Sequence, residues 1–237
     1  MTSHVGLDRP IKLEWMDILA NKLRTERDWQ VLRQYMHDFL APERPNYESR
    51  RKNLTVLFRI WISLPEEQLE MRERAIELLS REAGIDHLHI HWGMTLMAYP
   101  FFKDVAGIIG KLLALQGDVS LVQVQRRIAE LWGQRSTANI AGRKIVRMMA
   151  GWGALRESAT QNNYVPTSPR SVSKENALWL VEALLHAEQS KSIPLDTLQS
   201  IPTVFPFKID VYQSQLIQSK KLEIVRQGFN ADVIRLR

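Results

Sequence analysis

Asn139, Arg143 and Arg147 stand four residues apart in the middle of a 237-residue chain. On an α-helix that spacing puts the three side chains on one face. The amide of Asn139 and the guanidinium of Arg143 match the edges of base pairs. Asn is suited to adenine and Arg to guanine, in a major groove about 12 Å wide that admits one helix. Ser136 and Thr137 precede them; one of the two is expected to cap the start of the helix, and both lie in the N-terminal half that approaches the bases. Gln134, Arg135, Lys144 and Arg147 are better placed for phosphate oxygens, contacts that position a protein on a duplex without reading its sequence. Arg126 and Arg127, on the preceding helical segment, add backbone contacts, and the Asn162-Asn163-Tyr164 tip of a following turn can reach a neighbouring groove or phosphate. Charge is concentrated in the same region. Val119 to Lys174 holds nine basic residues against Glu130 and Glu157, a net of +7, whereas the whole chain carries +6. A localised positive surface selects polyanionic partners.

Other chemistries find less support. His87, His89 and His91 alternate. On a strand they would share a face able to hold zinc or nickel. On a helix only His87 and His91 align, and no glutamate completes an HExxH pattern. The plainer reading is a helix start capped by Asp86, with the imidazoles and Trp92 partly buried. Gly107-Ile108-Ile109-Gly110-Lys111 lacks the spacing and the hydroxyl residue of a phosphate loop, and close helix packing accounts better for its glycines. Glu66, Glu67, Glu70, Glu73 and Glu77 alternate with Arg72, Arg74 and Arg81, the pattern of a solvated helix face with i,i+4 pairs. No nucleophile elbow or Ser-His-Asp set is visible. The absence of cysteine excludes disulfides, thiolate ligands and cysteine nucleophiles. These observations predict a non-enzymatic protein without cofactor or metal.

The elements that would position the basic residues are helical. Trp15, Ile18, Leu19 and Leu23 recur at three- and four-residue steps, as do Leu32, Met36 and Phe39 after Trp29. A break at Ala41 to Asn46 leads to the apolar run Leu54 to Leu64, stopped by Pro65. Glu66 to Ala83 is a further helix, with Gly84 as its C-cap. The greasy stretch Ile90 to Leu115 is interrupted by His91, Pro100, Lys103, Asp104 and Lys111. A bilayer span needs about 20 mostly apolar residues, so this stretch reads as two buried helices meeting at Tyr99-Pro100. The second runs from Phe101 to Leu115 and ends at Gly117. Ser120 and Gln123 make a capping box for a helix over Leu121 to Trp132, with Val124, Ile128 and Leu131 inward and Gly133 at its end. The next helix turns Ala141, Ile145, Met148, Met149 and Trp152 inward. An Asn-Asn centre in residues 156–166 predicts a β-hairpin, and Thr167 to Ser173 reads as a linker. Lys174 to Glu188 is a last helix, followed by an irregular Pro-containing stretch. A terminal hairpin pairs Leu222 to Arg226 with Asp232 to Leu236.

Helix, helix, short turn, helix, hairpin is the order of a winged helix-turn-helix. The expected architecture is mainly α: a helical N-terminal domain over residues 1–98, the winged module over 99–167, and a C-terminal helix plus terminal β-hairpin over 168–237.

Three segments also carry a resemblance. Arg50-Arg51-Lys52, Leu57 to Trp61 and Leu64-Pro65-Glu66-Glu67 come first. The aromatic-rich helix pair Trp92 to Leu115 follows, then a basic helix ending Trp152-Gly153-Ala154-Leu155. In helix order and hydrophobic rhythm, residues 50–155 resemble the BrxA accessory proteins of bacterial BREX phage-defence systems, although no single motif is diagnostic and the C-terminal hairpin departs from the family. The resemblance implies a compact, helical, non-enzymatic, DNA-binding accessory protein. The expected partner is double-stranded DNA, with a larger protein complex or a homodimer as a further possibility and no membrane. The absence of a basic-then-apolar leader at Met1 to Gly6 points to the cytoplasm. The alternative is an adaptor subunit whose winged module docks onto protein, with Phe205-Pro206-Phe207 as part of the contact.

Overall fold

A computed structural model describes residues 5–81, 86–228 and 231–237. It is mainly helical, with three small sheets. Four helices come first: α1 (Leu13–Lys22), α2 (Trp29–Phe39), α3 (Tyr47–Trp61) and α4 (Leu69–Arg81). Their starts follow local chemistry. The Asp28 carboxylate accepts from the backbone N–H groups of Gln30 and Val31 at the head of α2, and Asn46 accepts from that of Ser49 at the head of α3. These bonds satisfy donors that the first helical turn leaves open. The periodic residues Trp15, Leu19, Leu23, Leu32 and Met36 are all buried. Gly84, expected to close α4, lies outside the described residues.

α5 (Leu88–Ala98) and α6 (Pro100–Gln116) follow. Their junction is the predicted one. Tyr99 is extended, as a residue before proline prefers, and Pro100 occupies the first helical position, where its missing N–H costs nothing. Apart from the half-buried Ala98, α5 is buried along its whole length. No helix among the described residues is long and apolar enough to cross a membrane.

β1 (Val119–Ser120), α7 (Leu121–Trp132), α8 (Ser136–Gly151), β2 (Leu155–Glu157) and β3 (Asn163–Pro166) come next. The hairpin β2–β3 is the expected one. β1 adds a strand that no periodicity in the sequence signals: it pairs antiparallel with β3, Val119 opposite Tyr164, so the sheet order is β1-β3-β2.

The C-terminal third contains β4 (Arg170–Ser171), α9 (Lys174–Ala187), β5 (Ser192–Pro194), β6 (Phe207–Lys208), α10 (Gln213–Gln218), β7 (Leu222–Gln227) and β8 (Ala231–Leu236). The terminal hairpin β7–β8 forms in the expected register, Ile224 opposite Ile234, and β5 joins it on the β8 side. Two expectations need correction. Thr167 to Ser173 is not a bare linker, because β4 pairs in parallel with β6 and the Arg170 guanidinium holds the Asp86 carboxylate and the Gly153 carbonyl. Phe205-Pro206-Phe207 is not an outward contact segment either. Phe205 and Phe207 meet the Trp92 ring edge-on at 5.6 and 5.8 Å, the arrangement in which aromatic rings attract, so both pack inward.

Trp92 is the centre of the core. Besides those two rings it meets Phe102 of α6 at 5.1 Å and Trp152 at 6.1 Å, and its indole N–H donates to the Thr203 carbonyl. The glycines of α6 mark a close approach. A Cβ at Gly110 would stand 1.9 Å from the carbonyl oxygen of Pro202, so the 3-10 turn at Pro202–Val204 lies directly on the helix backbone. The acidic face of α4 works mostly between elements. Arg27 grips Glu73 with two hydrogen bonds, Lys221 reaches Glu70, and Arg74 forms a largely buried pair with Glu182 of α9; Glu77–Arg81 is an i,i+4 pair.

Candidate nucleic-acid interface

α7 is set by its ends. The Ser120 hydroxyl accepts from the Gln123 N–H while the Gln123 side chain accepts from the Ser120 N–H, the reciprocal cap expected from the sequence. Gly133, at positive φ, ends the helix. Val124 and Ile128 are buried, but Leu131 is 65% exposed rather than inward. Trp132 takes the inner place. Its ring packs edge-on against Phe101 at 4.9 Å and its N–H donates to Asp104 of α6 at 2.9 Å.

α8 begins differently from expectation. Its N-cap is Arg135, with no side-chain cap bond, and Ser136 and Thr137 lie within the first turn. The N–H groups of that turn therefore have no intrahelical acceptor and no cap. The inner face is as expected: Ala141, Ile145, Met148, Met149 and Trp152 are buried. The opposite face is open. Ser136, Arg143 and Arg147 are exposed, and between them Ile140 is 52% exposed. Among the described residues neither Arg143 nor Arg147 forms an ion pair.

The other expected residues divide. Gln134, Arg135 and Thr137 are exposed around the turn. Asn139 stands on the flank of α8, half-buried, with its Oδ1 buried and lacking a hydrogen-bond partner. Lys144 is on the other flank and donates to the backbone carbonyl of Asp8 at 2.8 Å, so its ammonium is tied to the N-terminal strap. That strap is also held by the Trp152 indole N–H, which donates to the Ile11 carbonyl at 2.7 Å. Arg126 and Arg127 both face Glu130, at 3.7 and 2.9 Å; exposed pairs of this kind contribute little and leave the guanidiniums accessible. Asn162 is exposed at positive φ in the hairpin turn, as placed by the Asn-Asn signal. Asn163 is not at the tip: it belongs to β3 and donates to the Asp118 carboxylate at 2.8 Å. Tyr164, its neighbour, is buried.

Sequence reasoning passed over four residues at this surface. Ile140 was missed because an apolar residue on a polar face reads as noise in a helical pattern. Arg156 is exposed on β2, where its position in the hairpin was the available signal. Arg51 and Lys52 of α3 lie far away in sequence, yet they line a cleft of ≈ 510 Å³ with Asp8, Thr55, Arg135 and Thr137. Arg51 also bonds Glu48 at 2.8 Å, which holds that carboxyl below its ordinary range.

The three histidines do not form a comparable site. His87 Nδ1 and His91 Nε2 each lie 3.0 Å from one oxygen of Asp17, and His89 packs against Phe207. A carboxylate only accepts, so both imidazoles donate to it. Burial lowers the His91 pKa although Asp17 pulls the other way; burial would raise Asp17, but the two histidines bring it below its ordinary value. Among the described residues no group of three such side chains is placed to hold a metal ion.

Comparison with known proteins returns no matching family model, no matching curated protein and no matching solved structure.

Proposed function

We propose that residues 99–167 are a winged helix-turn-helix and that the chain binds double-stranded DNA without enzymatic turnover, through the outer face of α8. The observation that carries this reading is the open face of Ser136, Ile140, Arg143 and Arg147, on a helix braced from behind by α6 and α7 and followed by a small antiparallel sheet. α8 enters the major groove. Arg143 reaches a base edge, Arg147 and Arg135 take phosphates, Ile140 meets a thymine methyl group, and the Asn162 turn with Arg156 follows the adjacent backbone. The resemblance of residues 50–155 to BrxA accessory proteins belongs to the same proposal, and with it a cytoplasmic, bacterial phage-defence setting.

The test is an electrophoretic shift titration at two salt concentrations. The wild type should bind duplex DNA with an affinity that falls steeply as salt rises. Arg143→Ala/Arg147→Ala should lose most of that affinity while its circular dichroism stays unchanged. Equal binding by the double variant removes α8 from the interface.

A second reading, an adaptor subunit or homodimer, draws on Val122 and Leu131, which are exposed apolar residues on α7. A salt-resistant stoichiometric complex with a protein, and no DNA shift, favours it.

A further inference from the structure

The cleft between α3 and the first turn of α8 shares Arg135 with the residues assigned above and otherwise lies outside them. Its walls come from three parts of the chain, the N-terminal strap among them. Arg51, Lys52 and Thr55 are exposed on α3, and Arg135 and Thr137 are exposed at the turn into α8. Asp8 is the one carboxylate among these lining residues, and it sits on the strap whose backbone Lys144 holds. Arg51, Lys52 and Arg135 thus line one cleft, opposed by Asp8 on its wall and by Glu48, which pairs with Arg51 from outside it. Two further properties point to an anion. The first turn of α8 carries no side-chain cap, so its N–H groups and the positive end of the helix dipole remain available. Arg51 spends its Nε and one Nη on Glu48 and keeps its other Nη unspent among the described residues.

The position of the cleft decides which anion. Thr137 and Lys144 are on the flank of α8 turned to the strap, whereas Gly142 meets Ile128 of α7 on the other side. A helix lying in a major groove has one DNA backbone along each flank. Gln134, Arg126 and Arg127 serve the α7 side, and the cleft lies where the second backbone must pass.

We propose that this cleft seats a phosphate of the DNA backbone, gripped by Arg51, Lys52 and Arg135, so that the N-terminal helices form one wall of the DNA interface. The inference rests on the α8 reading and adds to it a contact from a different part of the fold.

The experiment measures the slope of log affinity against log salt for the full-length chain on two unrelated duplexes. Arg51→Ala/Lys52→Ala is compared with Lys174→Ala/Lys220→Ala, a pair beside α9 that removes the same charge. Each lost phosphate contact lowers the slope by about 0.9. The cleft variant should therefore lose about 0.9 from the slope on both duplexes, the value of the one phosphate seated there, and the control pair should lose much less. Equal slopes for the two variants overturn the phosphate seat while leaving the α8 reading intact, provided Arg143→Ala/Arg147→Ala still abolishes binding. A wild type that binds no duplex overturns both.

Discussion

Ile140 is the residue on which sequence readout would turn. A branched aliphatic side chain, half exposed between Ser136 and two arginines, has no packing role in the fold. Its truncation to alanine should leave folding stability within about 0.5 kcal/mol. On the proposed reading, Ile140→Ala weakens binding to a preferred A·T-containing duplex by about 1 kcal/mol, the scale of a methyl or methylene contact removed from water. Replacing thymine by uracil in that duplex should weaken the wild type by a similar amount and the variant hardly at all. Additive losses in this cycle would show that Ile140 and the thymine methyl do not touch. The basic residues around it were legible because charge and four-residue spacing survive in any helix. Leu131 was not, since Trp132 one position later packs its ring on Phe101, has its N–H satisfied by Asp104 and takes the inner, partly buried place.

At the scale of elements, local chemistry was the readable part. The Ser120–Gln123 capping box, the Tyr99-Pro100 junction, Gly117 and Gly133 as helix ends, and the Asn162 turn all act within a few residues of themselves. Pairings between distant segments left no such trace. β1 is two residues long and becomes a strand only because Tyr164 and Asn163 lie beside it. β4 and β6 are likewise defined by each other. Gly110 stands between these cases. Its sequence context announced close packing, but its neighbour, the Pro202 carbonyl, lies too far along the chain to be foreseen. Backbone cannot yield as a flexible side chain does, so Gly110→Ala should destabilise the protein by about 3 kcal/mol or more. Urea denaturation followed by tryptophan fluorescence checks this. A midpoint equal to that of the wild type would mean that the turn at Pro202 can lift away from α6 at negligible cost.

Over the whole molecule, the N-terminal helices are joined to α5 by the Asp17–His87–His91 cluster, and this cluster sets a pH response. His91 is buried and its pKa is lowered, so the folded state binds fewer protons there than the unfolded chain does. Its contribution to stability is complete above the ordinary histidine value of about 6.5 and is lost as the pH falls below it toward the depressed one. The lowered pKa of Asp17 acts in the same direction at still lower pH. The urea midpoint should therefore drop between pH 7.5 and pH 5, and His91→Gln should flatten that dependence. A wild-type midpoint that stays constant across this interval would rule out the cluster as the titrating element.

The ring assembly around Trp92 constrains how any part of this chain can be handled. Phe102 and Trp152 belong to the stretch that carries α8, whereas Trp92 comes from before it and Phe205 and Phe207 from after it. Cutting out residues 99–167 would strip Trp92 from both of those rings and lay bare the groove along Gly110. Contiguous apolar surface of that kind drives self-association in water. The excised piece would aggregate, so any binding by the outer face of α8 has to be measured with the flanking thirds of the chain still packed behind it.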